Sequence, residues 1–145
     1  MKWRLIVGFL ITILLCYSCN QSKEHEVFKV KGKPGILFKI TEYNFDTLEY
    51  KEKAVYEFEF LNNGDQPLII NNVSTSCGCT ASEYSKEPYM ADKMGTVKVQ
   101  YDTRRSGRFS KTISVFSNAD KKPVVLKISG FVKKMEKVED MNDID

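Results

Sequence analysis

Seven residues, Ala54-Val55-Tyr56-Glu57-Phe58-Glu59-Phe60, alternate large apolar and acidic side chains with a period of two. Successive side chains of a strand point to opposite faces, whereas a helix would spread these seven around its axis. Tyr56, Phe58 and Phe60 are therefore expected on a buried face, with Glu57 and Glu59 turned to water. No helical period runs through the segments that follow, so a β architecture is the one this pattern permits.

Shorter runs of the same kind extend along the chain. Ile36-Leu37-Phe38-Lys39-Ile40 follows Pro34-Gly35, and Leu68-Ile69-Ile70 follows Pro67, a residue confined to the first position of a strand. Thr96 to Tyr101 alternates, with Val97, Val99 and Tyr101 inward; Phe109, Ile113 and Val115 line the next strand, with Phe116 on the opposite face. Residues 124–132 close the domain, and residues 43–50 form a weaker seventh segment. Asn62-Asn63-Gly64-Asp65, Arg104-Arg105-Ser106-Gly107 and residues 117–122 read as turns, because Asn and Gly tolerate positive φ. Residues 81–94 have no clear period and are expected as a long connection. The sum is an antiparallel β-sandwich of about seven strands.

With 145 residues the chain has room for one domain, and 42% apolar content suffices for a core without a disulfide staple. Its start is different in kind. Met1-Lys2-Trp3-Arg4 is positive, and residues 5–15 are apolar apart from Gly8 and Thr12. That length covers about half of a bilayer's hydrocarbon, which fits the core of an export signal and not a spanning helix. Ser18 then precedes Cys19, and the arrangement resembles the lipobox of bacterial lipoproteins, with Cys16 where Leu is usual and a bulky Tyr17. It implies cleavage before Cys19 and lipidation of that cysteine; a plain secretory signal with a spare thiol is the alternative. Residues 1–18 are thus expected as signal peptide, 19–33 as flexible tether, 34–133 as the folded domain and 134–145 as a disordered acidic tail. The formal charge of +3 falls to about +1 without Lys2 and Arg4, which leaves no electrostatic footprint for nucleic acid.

Chemistry beyond folding is best sought in Ser76-Cys77-Gly78-Cys79-Thr80. Cys77 and Cys79 stand at i and i+2, so both thiols can lie on one side of the chain. Gly78 removes a side chain that would resist a tight bend. Three states are open. A disulfide suits an exported protein, but closing so small a loop stabilises weakly. Two thiolates suit Cu(I), whereas a closed zinc site lacks its four ligands, because His25 on the tether is the sole histidine. Quiet packing of the pair is the third state. No Ser or Cys nucleophile has a base in cis, and no Gly-rich phosphate loop is present. Arg104, Arg105 and Arg108 cluster around Gly107, as an anion or partner contact or as a solvated hairpin tip. Tyr84, Tyr89 and Tyr101 belong either to a binding rim or to the core.

Several pieces occur in order: Phe58-x-Phe60-x-Asn62-x-Gly64, Pro67-Leu68-x-Ile70, Ser76-Cys77-Gly78-Cys79-Thr80, Tyr101-Asp102, Gly107-x-Phe109 and Ser117-Asn118. Together they resemble the bacterial domain of unknown function 1573, which is similar to immunoglobulin-like modules of the Hydin type. The resemblance spans residues 45–132 and implies an all-β, immunoglobulin-like sandwich, often on exported or lipid-anchored proteins, with no activity attached. The expected protein is a non-enzymatic interaction domain in the bacterial cell envelope. It would meet the membrane through its N-terminal lipid, bind an envelope protein partner, and carry no cofactor. The alternative is a thiol redox or Cu(I)-binding role through Cys77-Gly78-Cys79.

Overall fold

The alternating segment becomes the third of eight strands among the described residues. A computed structural model describes residues 28–135. The expected signal peptide, Cys19, His25 and residues 136–145 of the acidic tail lie outside them. The strands are β1 (Leu37–Phe38), β2 (Glu42–Leu48), β3 (Ala54–Leu61), β4 (Ile70–Thr75), β5 (Thr80–Tyr84), β6 (Met94–Tyr101), β7 (Gly107–Ser117) and β8 (Asp120–Val132). They form two four-stranded sheets, ordered β1-β3-β6-β5 and β2-β8-β7-β4.

Alternation decides which side of each sheet is dry. β3 and β6 pair in unbroken antiparallel register from Ala54↔Tyr101 to Leu61↔Met94. Phe58 and Phe60 on β3 and Val97, Val99 and Tyr101 on β6 are all buried. From the other sheet, Phe109, Ile113 and Val115 on β7 and Leu126, Ile128 and Val132 on β8 complete the core. Each of these side chains, fully buried, contributes about 1.5–3 kcal/mol. Phe116 faces outward, as its parity requires. Tyr101 and Tyr89 belong to the core side and not to a rim: Tyr101 is buried, and the Tyr89 ring stands edge-on to Phe60 at 5.0 Å.

The chain departs from the expected strands in four places. Residues 80–84 form β5, paired with β6 from Thr80↔Tyr101 to Tyr84↔Val97, where a connection was expected. An edge strand has one neighbour and needs little apolar content, so Thr80-Ala81-Ser82-Glu83-Tyr84 satisfies it without a hydrophobic signature. The strand expected at Leu68-Ile69-Ile70 runs instead through the polar Ile70–Thr75, while Leu68 forms a single bridge to Tyr89. The run at 36–40 pairs only over Leu37–Phe38. Most consequentially, the sandwich is not wholly antiparallel: β2 runs parallel to β8. β1 joins one sheet, the chain crosses at once to the other, and the direction in which β2 then runs makes the pairing parallel. An irregularity between Asn44 and Thr47, where Asp46 has φ 55°, lets it follow β8.

One buried polar side chain organises the end of the sandwich opposite the cysteines. Asn62 Oδ1 accepts from the N–H groups of Gly35 (3.2 Å) and Gly64 (2.9 Å), and its Nδ2 donates to the carbonyls of Gln66 (2.9 Å) and Tyr89 (2.8 Å). The described end of the expected tether docks here. Val30 N donates to Asn63 O (2.8 Å) and Gly32 N to Asp65 Oδ2 (2.9 Å).

Candidate functional site

β4 lies at the edge of one sheet and β5 at the edge of the other, so residues 76–79 carry the chain between the two layers. This crossover holds both loop cysteines, and they are joined: Cys77 and Cys79 form a disulfide with their Cα atoms 5.3 Å apart. Of the three states that the sequence allows, the structure has this one. The expected juxtaposition of the two sulfurs on one side of the bend is its geometric precondition.

The crossover is clamped without the sulfur bond. Ser76 N donates to Thr112 O (3.0 Å), and Thr112 N donates back to Ser76 Oγ (3.2 Å). Thr75 Oγ1 reaches the carbonyls of Cys77 (3.1 Å) and Thr80 (3.2 Å). On the far side Asp102 N donates to Cys79 O (2.9 Å). Cys77 is partly buried, with its Sγ 3.8 Å from Thr80 Oγ1; in the disulfide only the hydroxyl can donate. Cys79 is 9% exposed and belongs to the core.

Gly78 does not have the role its position suggests. It is exposed, it lies outside the positive-φ region, and a Cβ built on it would meet nothing within 4 Å. The bend does not need a glycine. Leaving out the side chain keeps one flank of the crossover open. There an open groove of about 480 Å³ is bordered by Gly78, Cys79, Tyr101, Asp102, Arg104 and residues 51–54.

The three candidate arginines separate. Arg104 folds onto Asp102, with Nε 2.8 Å from Oδ1 and Nη2 3.1 Å from Oδ2, and its backbone N also donates to Oδ1 (3.1 Å). These bonds from Arg104 hold the Asp102 carboxyl below its usual range and raise the guanidinium. Burial pushes the Tyr101 phenol up. Arg105 is exposed in the turn, and Arg108 lines a different groove beside Phe131 and Asn44. Only Arg104 therefore joins the cysteine site. Lys51 and Lys53 join it too, from a turn more than twenty residues upstream; no local motif marks them, because only the pairing of β3 with β6 brings them there.

Among the described residues no group of three or more His, Cys, Asp or Glu side chains is placed to hold a metal ion. While oxidised, the pair offers no thiolate, so Cu(I) binding requires the reduced loop.

The family described as a protein of unknown function (DUF1573) matches residues 36–132. No curated protein matches the chain. Among solved structures the chain is similar to the ASH/PapD-like domain of human CEP192 (PapD-like domain 7), at TM-score 0.60 and 13% identity, covering 81% of this chain and 99% of that one. A protein of unknown function from Porphyromonas gingivalis W83 gives TM-score 0.56 and 14% identity, over 76% of this chain and 51% of that one. The secreted serine protease VesC from Vibrio cholerae gives 0.53 and 11%, over 68% of this chain and only 23% of that one. At these identities the likeness is one of fold.

Proposed function

The chain belongs to the DUF1573 family of unknown function, and from that premise we propose that it is a lipid-anchored protein of the bacterial envelope whose immunoglobulin-like domain works through protein contacts. The anchor rests on the export-type start and Ser18-Cys19; the non-enzymatic part rests on the composition of the site. Among the described residues, a hydroxyl lies beside Cys77, lysines and an arginine share the groove with Cys79, and no imidazole is present; the sole histidine of the sequence is His25, outside those residues. A disulfide without a proton-transfer partner suits recognition better than turnover.

Two measurements test it. Intact mass of membrane-extracted protein is expected to give a chain beginning at Cys19 with added acyl mass, and Cys19→Ala should release it from the membrane fraction. A different first residue, or no acyl mass, rejects the anchor. Multiple turnover of disulfide substrates by the full chain rejects the non-enzymatic reading.

The second reading, a thiol role through Cys77-Gly78-Cys79, is favoured by one feature. Cys79 borders an open groove, and the crossover around the bond is held by hydrogen bonds that do not involve the sulfurs. Its Cu(I) version is tested by titrating the reduced chain with Cu(I) against a competing chelator; absence of uptake removes it.

A further inference from the structure

The groove beside the disulfide is unbalanced in charge. Lys51, Lys53 and Arg104 line it together with Glu52 and Asp102. Both acids already have donors: Asp102 takes Arg104, and Glu52 Oε2 accepts from Glu49 N at 2.7 Å. Among the described residues neither Lys51 nor Lys53 is in an ion pair, and Lys51 Nζ lies 5.4 Å from the centre of the Tyr50 ring. With three cations against two acids the groove keeps a net positive charge, and two ammonium groups outside any ion pair among the described residues border the one flank of the crossover that Gly78 leaves uncovered. Cys79 lines this groove, while Cys77 lies against Thr80.

We propose that the groove receives a thiol bearing carboxylates, which exchanges with the Cys77–Cys79 bond to give a reversible mixed disulfide. This rests on the thiol reading above and names its substrate class. The incoming thiolate attacks Cys79 Sγ. A new S–S bond forms there, the Cys77–Cys79 bond breaks, and its electron pair stays on Cys77 Sγ. The Thr80 hydroxyl, 3.8 Å away, donates to that thiolate before solvent protonates it. The incoming sulfur is oxidised and Cys77 is reduced, so no further oxidant is needed. Attack of Cys77 on the mixed disulfide reverses the step. Lys51 and Lys53 attract the carboxylates and favour the thiolate form of the visitor. A small acidic thiol and a cysteine in an acidic protein segment share this chemistry.

The test follows reduction of the full-length chain in detergent micelles at low ionic strength by mercaptoacetate, 2-mercaptoethanol and cysteamine: an anion, a neutral thiol and a cation. A cyclic peptide of residues 76–80 with the same disulfide gives the reference rate for each thiol and removes differences in intrinsic nucleophilicity. Relative to the peptide, mercaptoacetate is expected to gain about fivefold over cysteamine. The gain should disappear in Lys51→Gln/Lys53→Gln and in high salt. Gly78→Leu should slow the anion in the chain. An acidic cysteine peptide that outpaces mercaptoacetate assigns a protein partner, and equal rates assign small thiols. Equal chain-to-peptide ratios for all three thiols overturn the charge selectivity but leave exchange standing. Failure of every thiol to open the bond in the chain, while opening the peptide, overturns both.

Discussion

Tyr101 and Phe109 lie face to face across the two sheets, with ring centroids 3.8 Å apart and planes inclined by 13°. Tyr101 ends β6, pairs with Thr80 and precedes Asp102, whose N–H holds the Cys79 carbonyl. Tyr101 thus joins the stack between the layers to the strand end that holds the disulfide crossover. Phe109→Ala is expected to cost about 3–5 kcal/mol in chemical denaturation, and Phe109→Leu about 1–2 kcal/mol. A loss below 1 kcal/mol for the alanine variant would show that the two layers hold together without it.

Two glycines separate steric need from access. A Cβ on Gly64 would overlap the Lys33 carbonyl oxygen and the Gly35 nitrogen, both backbone atoms that cannot swing aside. Gly64→Ala should lose roughly 1–3 kcal/mol or more and loosen residues 28–35 in hydrogen exchange. Gly78→Ala should change stability by no more than about 0.5 kcal/mol, because its Cβ enters open space. Equal losses at the two sites would contradict this assignment.

Removing the disulfide tests whether it is a staple. A loop this short constrains the unfolded chain by about 1.5 kcal/mol at most, and the flanking hydrogen bonds do not depend on it. The reduced chain should keep its β-type circular dichroism and a cooperative transition, weakened by no more than that amount. Collapse of the fold would make the bond structural and count against exchange.

Acid titration reads the pair at the groove wall. Hydrogen bonds from the Arg104 side chain, then its backbone N–H, hold the Asp102 carboxyl below its usual value of 3.8. The folded chain favours the ionised form. The pair's contribution to stability is thus complete above pH 3.8 and is lost as pH falls through the lower folded value. An NMR titration of the Asp102 carboxyl should give a midpoint below 3.8, and Arg104→Gln should move it back up. An unchanged midpoint in the variant would dissolve the pair. Asp102→Asn should free Arg104 and speed reduction by mercaptoacetate further.

The candidate site was legible only in its covalent part. Cys77, Gly78 and Cys79 are neighbours in sequence, and their spacing alone allowed the two sulfurs to meet. Thr80 was inside the same motif, but nothing marked its hydroxyl as a partner for Cys77. Lys51 and Lys53 had no signal at all. The arginines show the same limit: Arg104, Arg105 and Arg108 are close along the chain, yet Arg104 lines the groove beside Cys79 and the β7 strand carries Arg108 to another.

What the sequence determined by itself is whatever depends on a residue and its near neighbours. Period-two alternation over 54–60 and 96–101 settles strand character and which faces are buried, because the backbone turns each side chain by geometry that needs no partner. Only the tertiary structure decided that polar residues 71–75 and 80–84 are edge strands, that β2 runs parallel to β8, and that two upstream lysines border Cys79. Partner choice, strand direction and the shape between layers arise from packing across distant parts of the chain, and an edge strand, dry on few positions, leaves little trace in its own residues.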